Sequence, residues 1–310
     1  VYNEAVTVVG DPLHGLDEVP WHRLYHCYGP AGDIPGQLRA LRSHDTDVRQ
    51  RAWSGLFGNV YHQGNRWQAS GATVPFLVAL VDDPTTPDRV RILDVLSAVA
   101  VGDGRDDRLP FDAEAAFADG AAIDEDGMAR LVRRVFEEDE PLRDDEEEEI
   151  FALGEAAAVR WAADAYWPAA DRVDTIAAWV LDADVEIAAR AAALLAWLPP
   201  TPASVSALLT VHFDQPHTQA RASANLALAH LPTTDPRVND QLAELLRPSD
   251  GLVAVTAAIA LAYRLGDVLS EPALSVLVDA TGLDLPLGVT GWDRAVRGFI
   301  SLAMKRIGLT

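Results

Sequence analysis

Three stretches near the C-terminal end, residues 188–198, 221–231 and 255–265, align without gaps at steps of 33 and 34 residues. They read AARAAALLAWL, RASANLALAHL and VTAAIALAYRL. Ala191, Ala224 and Ala258 share one column, and Leu198, Leu231 and Leu265 another. A period in this range, built from helix-compatible residues, predicts helical hairpins that bury their apolar faces against the next hairpin. Each predicted helix also has stop signals. Pro199–Pro200 follows the first stretch, Pro232 the second and Gly266 the third, residues that end helices by missing donors or left-handed backbone.

The pattern extends outward from these stretches. Helix pairs are predicted at 169–181 with 182–198, 202–213 with 217–231, 235–246 with 252–265, and 271–280 with 291–307. Asp184 stands at an N-cap position, and Val185, Ala188, Ala192 and Leu195 form an apolar face at helical spacing. Towards the N-terminus, 34–41 pairs with a helix starting near Asp47, and 73–81 with 88–99. Met128, Leu131, Val132, Val135 and Phe136 form a further apolar stripe, which continues in a helix through Ile150, Leu153, Ala157 and Trp161. The count is about seven pairs. Residues 102–125 are left as a connection longer than a hairpin needs.

The segment Asp45-x-x-Val48-Arg49-x-x-Ala52 resembles the second-helix signature of HEAT repeats, including the HEAT-like repeats associated with bilin lyases. The resemblance implies an all-α fold, an α-solenoid of about seven HEAT-like hairpins over 33–310, with 1–32 as an N-terminal cap and an acidic insert at 102–149. It also implies that Asp45, Asp47, Arg49, Asp184 and Arg190 hydrogen-bond between adjacent repeats and stabilise their stacking. The turn His62-Gln63-Gly64 followed by Trp67 is similar to a segment of actinobacterial HEAT-repeat proteins, a group that brings no assigned chemistry with it.

Charge narrows the ligand classes. The chain carries 47 acidic and 25 basic side chains, a formal −22. Residues 102–149 hold 19 acidic and 6 basic residues, a net of −13 that exceeds half the total. Phosphate backbones and anionic membrane surfaces are repelled by such a balance. This excludes the DNA-pressing role of HEAT-like alkylpurine glycosylases, which use a basic groove. The acidic run Glu137, Glu138, Asp139, Glu140, Asp144, Asp145, Glu146 and Glu147 instead suits a basic protein partner, although the same carboxylates complement a helix N-terminus.

Candidate chemistry is sparse. Cys27 is the only cysteine, so no internal disulfide forms, and a cytoplasmic location is expected of such a chain. No apolar run of roughly 18 residues free of Asp, Arg or Pro marks a membrane span, and no basic-then-apolar leader is visible. No pair of the eight histidines has metal-ligand spacing. The His-Glu dipeptides with which HEAT-like deoxyhypusine hydroxylases hold iron do not occur. His26 beside Cys27 lacks a third, orienting group, so no catalytic residue, metal or cofactor is assigned. The aromatic and histidine-rich N-terminal part supplies the binding candidates His26, Tyr28, Tyr61, His62 and Trp67. Trp53 and Trp197, on predicted second helices, add two more. Buried aromatics with a polar handle serve equally as binding anchors or as a cap over the first repeat.

Two functions follow as expectations. The first is a non-catalytic scaffold that binds a basic protein through its second helices and acidic insert. The second is a small-molecule-binding protein or tailoring enzyme of specialised metabolism, with a pocket near Tyr28, Tyr61, His62 and Trp67.

Overall fold

The computed structural model describes residues 10–138, 143–214, 216–247, 250–282 and 284–309. It is mostly helical, as the periodicity predicts, with one short ribbon. Contacts divide it into two units, residues 1–103 with 113–169, and residues 104–112 with 170–310.

The first unit opens with two single 3-10 turns and an antiparallel ribbon, β1 (Tyr25–His26) with β2 (Gly29–Pro30). The ribbon was not predicted, because two-residue strands leave no alternating pattern to read. There follow α1 (Ile34–Ala40), α2 (Thr46–Val60), α3 (Gln68–Asp82), α4 (Arg89–Val101), the single turn α5 (Ala113–Ala116), α6 (Glu125–Phe136) and α7 (Asp144–Ala170). Helices α1 and α2 pack as one pair and α3 and α4 as the next. Asp45 starts α2 by accepting from the amides of Asp47 (2.8 Å) and Val48 (3.2 Å), which satisfies two of the donors a helix start leaves bare. Of the side chains expected to bond between repeats, Arg49 does so, reaching Asp88 just before α4 at 2.7 Å, whereas Asp45 and Asp184 cap their own helices and Arg190 pairs with Glu186 one turn away. Helices α3 and α7 cross almost backbone to backbone. A Cβ on Gly71 would sit 2.4 Å from the carbonyl oxygen of Asp164, so no larger residue fits there. The connection read from sequence as a long loop contains α5 and two 3-10 turns, at 106–108 and 118–122.

The second unit holds α8 (Val173–Ala178), α9 (Val185–Leu195), α10 (Pro202–Asp214), α11 (Thr218–His230), α12 (Pro236–Glu244), α13 (Gly251–Leu265), α14 (Glu271–Asp279) and α15 (Val296–Arg306). Here α9 packs on α11 and α11 on α13. Within the predicted pairs, α8 packs on α9, α10 on α11 and α12 on α13, whereas α14 and α15, expected to pair with each other, both pack on α13 instead. Ala191, Ala224 and Ala258 are each 0% exposed, one per packed helix. Their methyls let neighbouring axes approach closely while side chains interdigitate. Polar groups fasten the same contacts: Ser223 donates to the Ala189 carbonyl (2.6 Å) and Asn225 to the Val253 carbonyl (3.1 Å). Arg264, at the end of α13, donates to the carbonyls of Leu228 (2.9 Å), Leu231 (3.3 Å) and Thr233 (3.0 Å). It thereby caps the C-terminal end of α11, whose last carbonyls lack helical partners.

Residues 251–268 form a window with mean hydropathy 1.5, long and apolar enough to cross a membrane by composition, and 67% of it is buried inside the protein. The sequence reading passed over this window because Arg264 and Asp267 interrupt it. The burial accounts for its apolar character without a bilayer, since a helix apolar on all sides is also what a packed interior requires.

Candidate functional site

The first unit contains a cleft of about 1000 Å³, at the upper end of the range for ligand sites. Three parts of the chain form its walls: the segment 22–25, the N-terminal turn of α3, and the facing sides of α6 and α7. An aromatic chain holds these parts together. Tyr25 stacks on Phe136 at 4.8 Å, Phe136 meets the edge of Trp67 at 5.9 Å, and Trp67 leans on Trp161 at 5.4 Å. Below it lies an apolar cluster of Ile123, Leu131, Ile150, Ala157 and Trp161.

Helix α6 presents one stripe to the cleft: Glu125, Met128, Ala129, Val132 and Arg133. These positions are i, i+3, i+4, i+7 and i+8, the spacing of a single helical face. The stripe begins with a carboxylate, is apolar in the middle and ends with a guanidinium. Asp124 starts the helix by accepting from the Gly127 amide at 2.8 Å. Across the cleft, Arg160 pairs with Asp164 on α7 at 3.2 Å. Glu137 accepts from the Tyr25 hydroxyl at 2.6 Å, which, with burial, raises the phenol above its ordinary pKa. Among the described residues, Arg23, Glu125 and Arg133 have no ion-pair partner. Two buried groups lack hydrogen-bond partners here, the indole N–H of Trp161 and the side-chain oxygen of Gln68. Orphaned polar atoms beside a cleft are features a packed core normally eliminates.

The residues singled out from sequence divide among several places. Trp67 belongs to the aromatic chain behind the cleft, and its indole N–H is also unpartnered. His26 is 5% exposed and structural in its bonding. Its Nε2 lies 3.0 Å from Asp33, which also receives Asn59 at 2.9 Å, and its Nδ1 accepts from the Tyr28 amide at 3.1 Å. Tyr28 is 68% exposed and its hydroxyl stands 3.3 Å from His62 Nδ1. Tyr61 donates to Asp103, and burial together with that carboxylate raises its phenol well above the ordinary value. Tyr28, Tyr61 and His62 do not line the cleft. Trp53 stacks on Phe57 at 5.5 Å with the Arg91 guanidinium 5.1 Å from its ring, beside a recess of about 10 Å³, room for one water at most. Trp197, in the second unit, is 6% exposed and packs on Phe111. The Cys27 thiol donates to the Gly58 carbonyl at 3.2 Å, and burial raises its pKa.

Of the acidic run, Asp139 and Glu140 lie outside the described residues, as do the side chains of Asp144 and Asp145. Glu137 bonds to Tyr25, Glu138 lies 3.7 Å from Arg134, and Glu146 pairs with Arg143. Glu147 is exposed. Two of these carboxylates, Glu138 and Glu146, thus have an arginine beside them. Among the described residues no group of three or more His, Cys, Asp or Glu side chains is placed to hold a metal.

The sequence reading missed Arg23, Gln68, Glu125 and Arg133, and took Trp161 and the α6 stripe for core. The available signal was the charge at each end of that stripe. In the second unit, burial and the nearby Arg221 depress His212 to about 4. Burial, Arg306 and Arg294 depress His230 to about 3. Both are neutral histidines held in the interior.

No protein-family model, no curated protein and no solved structure matches the chain.

Proposed function

We propose that this chain is a non-catalytic binding protein built as an α-solenoid of HEAT-like hairpins, with its ligand held in the cleft between α6, α7 and the N-terminal segment. The cleft carries the reading: about 1000 Å³ of space with an unpartnered indole N–H in its wall. The in-order packing of α8–α9, α10–α11 and α12–α13 supports the solenoid. So do Asp45, Asp184 and Asp250, each capping a second helix. The lone cysteine supports a cytoplasmic setting.

Native mass spectrometry on gently purified protein tests the site. A bound mass should be retained by the wild type and by Trp53→Ala, and lost from Ala129→Trp, which fills the cleft from an exposed position. Equal retention in Ala129→Trp overturns the assignment.

A second reading, a scaffold for a basic protein, draws on the net −13 of residues 102–149 and on two exposed aromatics of α7, Phe151 (67%) and Trp167 (41%). Titration with a lysine-rich protein at low and high salt tests it, and an absence of binding at low salt removes it.

A further inference from the structure

Resting on the cleft as the binding site, we propose that its ligand is a zwitterion: an apolar body with an ammonium at one end and a carboxylate about 12 Å away, as in a linear peptide of three or four residues with free termini. The distance comes from α6 itself, since eight residues at 1.5 Å rise separate Glu125 from Arg133 by about 12 Å. An extended chain covers about 3.3–3.6 Å per residue, so a tripeptide or tetrapeptide spans the stripe. Met128, Ala129 and Val132 lie between the two charges and offer an apolar bed to its side chains. Arg23, on the opposite wall, adds a second guanidinium for the carboxylate.

The helix macrodipole alone favours a Glu in the first turn and an Arg in the last. It does not account for the different fates of the three arginines on α6. Arg130 forms a two-pronged pair with Glu149, one contact at 2.8 Å, and Arg134 lies 3.7 Å from Glu138. Arg133, on the cleft side, has no carboxylate partner among the described residues, and neither does Glu125 at the other end. Formal charge on the lining supports the same reading. Arg23, Arg133 and Arg160 stand against Asp124, Glu125, Glu137 and Asp164, a near balance in a chain of −22. A purely anionic ligand would meet the carboxylates and a purely cationic one the guanidinium groups, whereas a zwitterion in one orientation satisfies both ends.

Isothermal titration with trileucine, its N-acetyl form, its C-terminal amide and the doubly capped peptide tests the proposal. Charge-assisted hydrogen bonds are strong enough that capping either end should weaken binding roughly tenfold or more. Glu125→Gln should remove the penalty for N-acetylation only, and Arg133→Gln the penalty for amidation only. Both residues are exposed, so unchanged thermal melts of the two variants confirm that folding is not the cause. If the doubly capped peptide binds as well as the free one, the zwitterion is overturned and the cleft assignment stands. If no peptide binds while the wild type still holds a mass that Ala129→Trp loses, the ligand class fails alone. If that mass is also missing, both fail.

Discussion

The two units solve the burial problem with different side chains. In the second unit, α9, α11 and α13 pack in succession and are rich in fully buried alanines, Ala191, Ala224 and Ala258 among them, with Ala188, Ala189 and Ala220 clustered between α9 and α11. Small residues in register let each helix close on the next. In the first unit, the corresponding work falls to Tyr25, Phe136, Trp67 and Trp161, joined in a line of ring contacts. The rings join the N-terminal segment, α3, α6 and α7, and the cleft lies beside them. Close packing and ligand space are therefore alternatives set by residue size at the helix contacts.

The sharpest way to separate the units is acid. His212 and His230, both in the second unit, have folded pKa values of about 4 and about 3, below the unfolded value near 6.5. The unfolded chain takes up their protons first, so the stability they contribute is complete above about pH 6.5 and falls as pH drops toward their folded values. Roughly 4 kcal/mol should be lost between pH 8 and pH 5 by the linkage relation. Urea midpoints at the two pH values measure it, and His230→Phe should shrink the difference by about half. An unchanged midpoint in wild type would show that neither histidine is held neutral.

The next test contrasts two glycines of the first unit. Gly71→Ala places a methyl against the Asp164 backbone and should cost about 3 kcal/mol by overpacking. Gly154, inside α7 with nothing within 4 Å of a built Cβ, should gain about 1 kcal/mol as Ala from helix propensity. Thermal melts of both variants check the signs. Equal effects would deny the close crossing of α3 and α7.

A smaller effect probes the alanine column. Ala224→Leu in α11 should cost about 2 kcal/mol, since a filled contact has no room for added methylenes. A neutral result in a urea titration would mean that the helices of the second unit are spaced as loosely as the rings of the first.

The helices and the alanine column were legible in sequence because both are set by spacing within a short window. Ala191, Ala224 and Ala258 recur at a fixed step, and Asp45 and Asp184 mark helix starts by chemistry that acts two or three residues away. The cleft was hidden for the opposite reason. Its walls come from residues 22–25, 68, 124–137 and 160–164, and nothing local brings Arg23 opposite Arg133. Met128 and Val132 read as core because the spacing of an apolar face is the same whether it meets a neighbour or an opening. Trp161 serves as both, buried to 6% exposure yet lining the cleft. His26 stood out as part of an aromatic and histidine-rich segment, and Asp33 supplies the partner that lets it be buried.

Arg264 closes the end of α11, the second helix of the preceding hairpin, by bonds to Leu228, Leu231 and Thr233. The finish of one hairpin is thus furnished by its successor, so a boundary drawn after Thr233 would strip off the guanidinium that three carbonyls share. A shortened version that keeps α11 intact must run past residue 264, and must keep α15 as well, whose Val296, Phe299 and Ala303 are fully buried and which packs on α13.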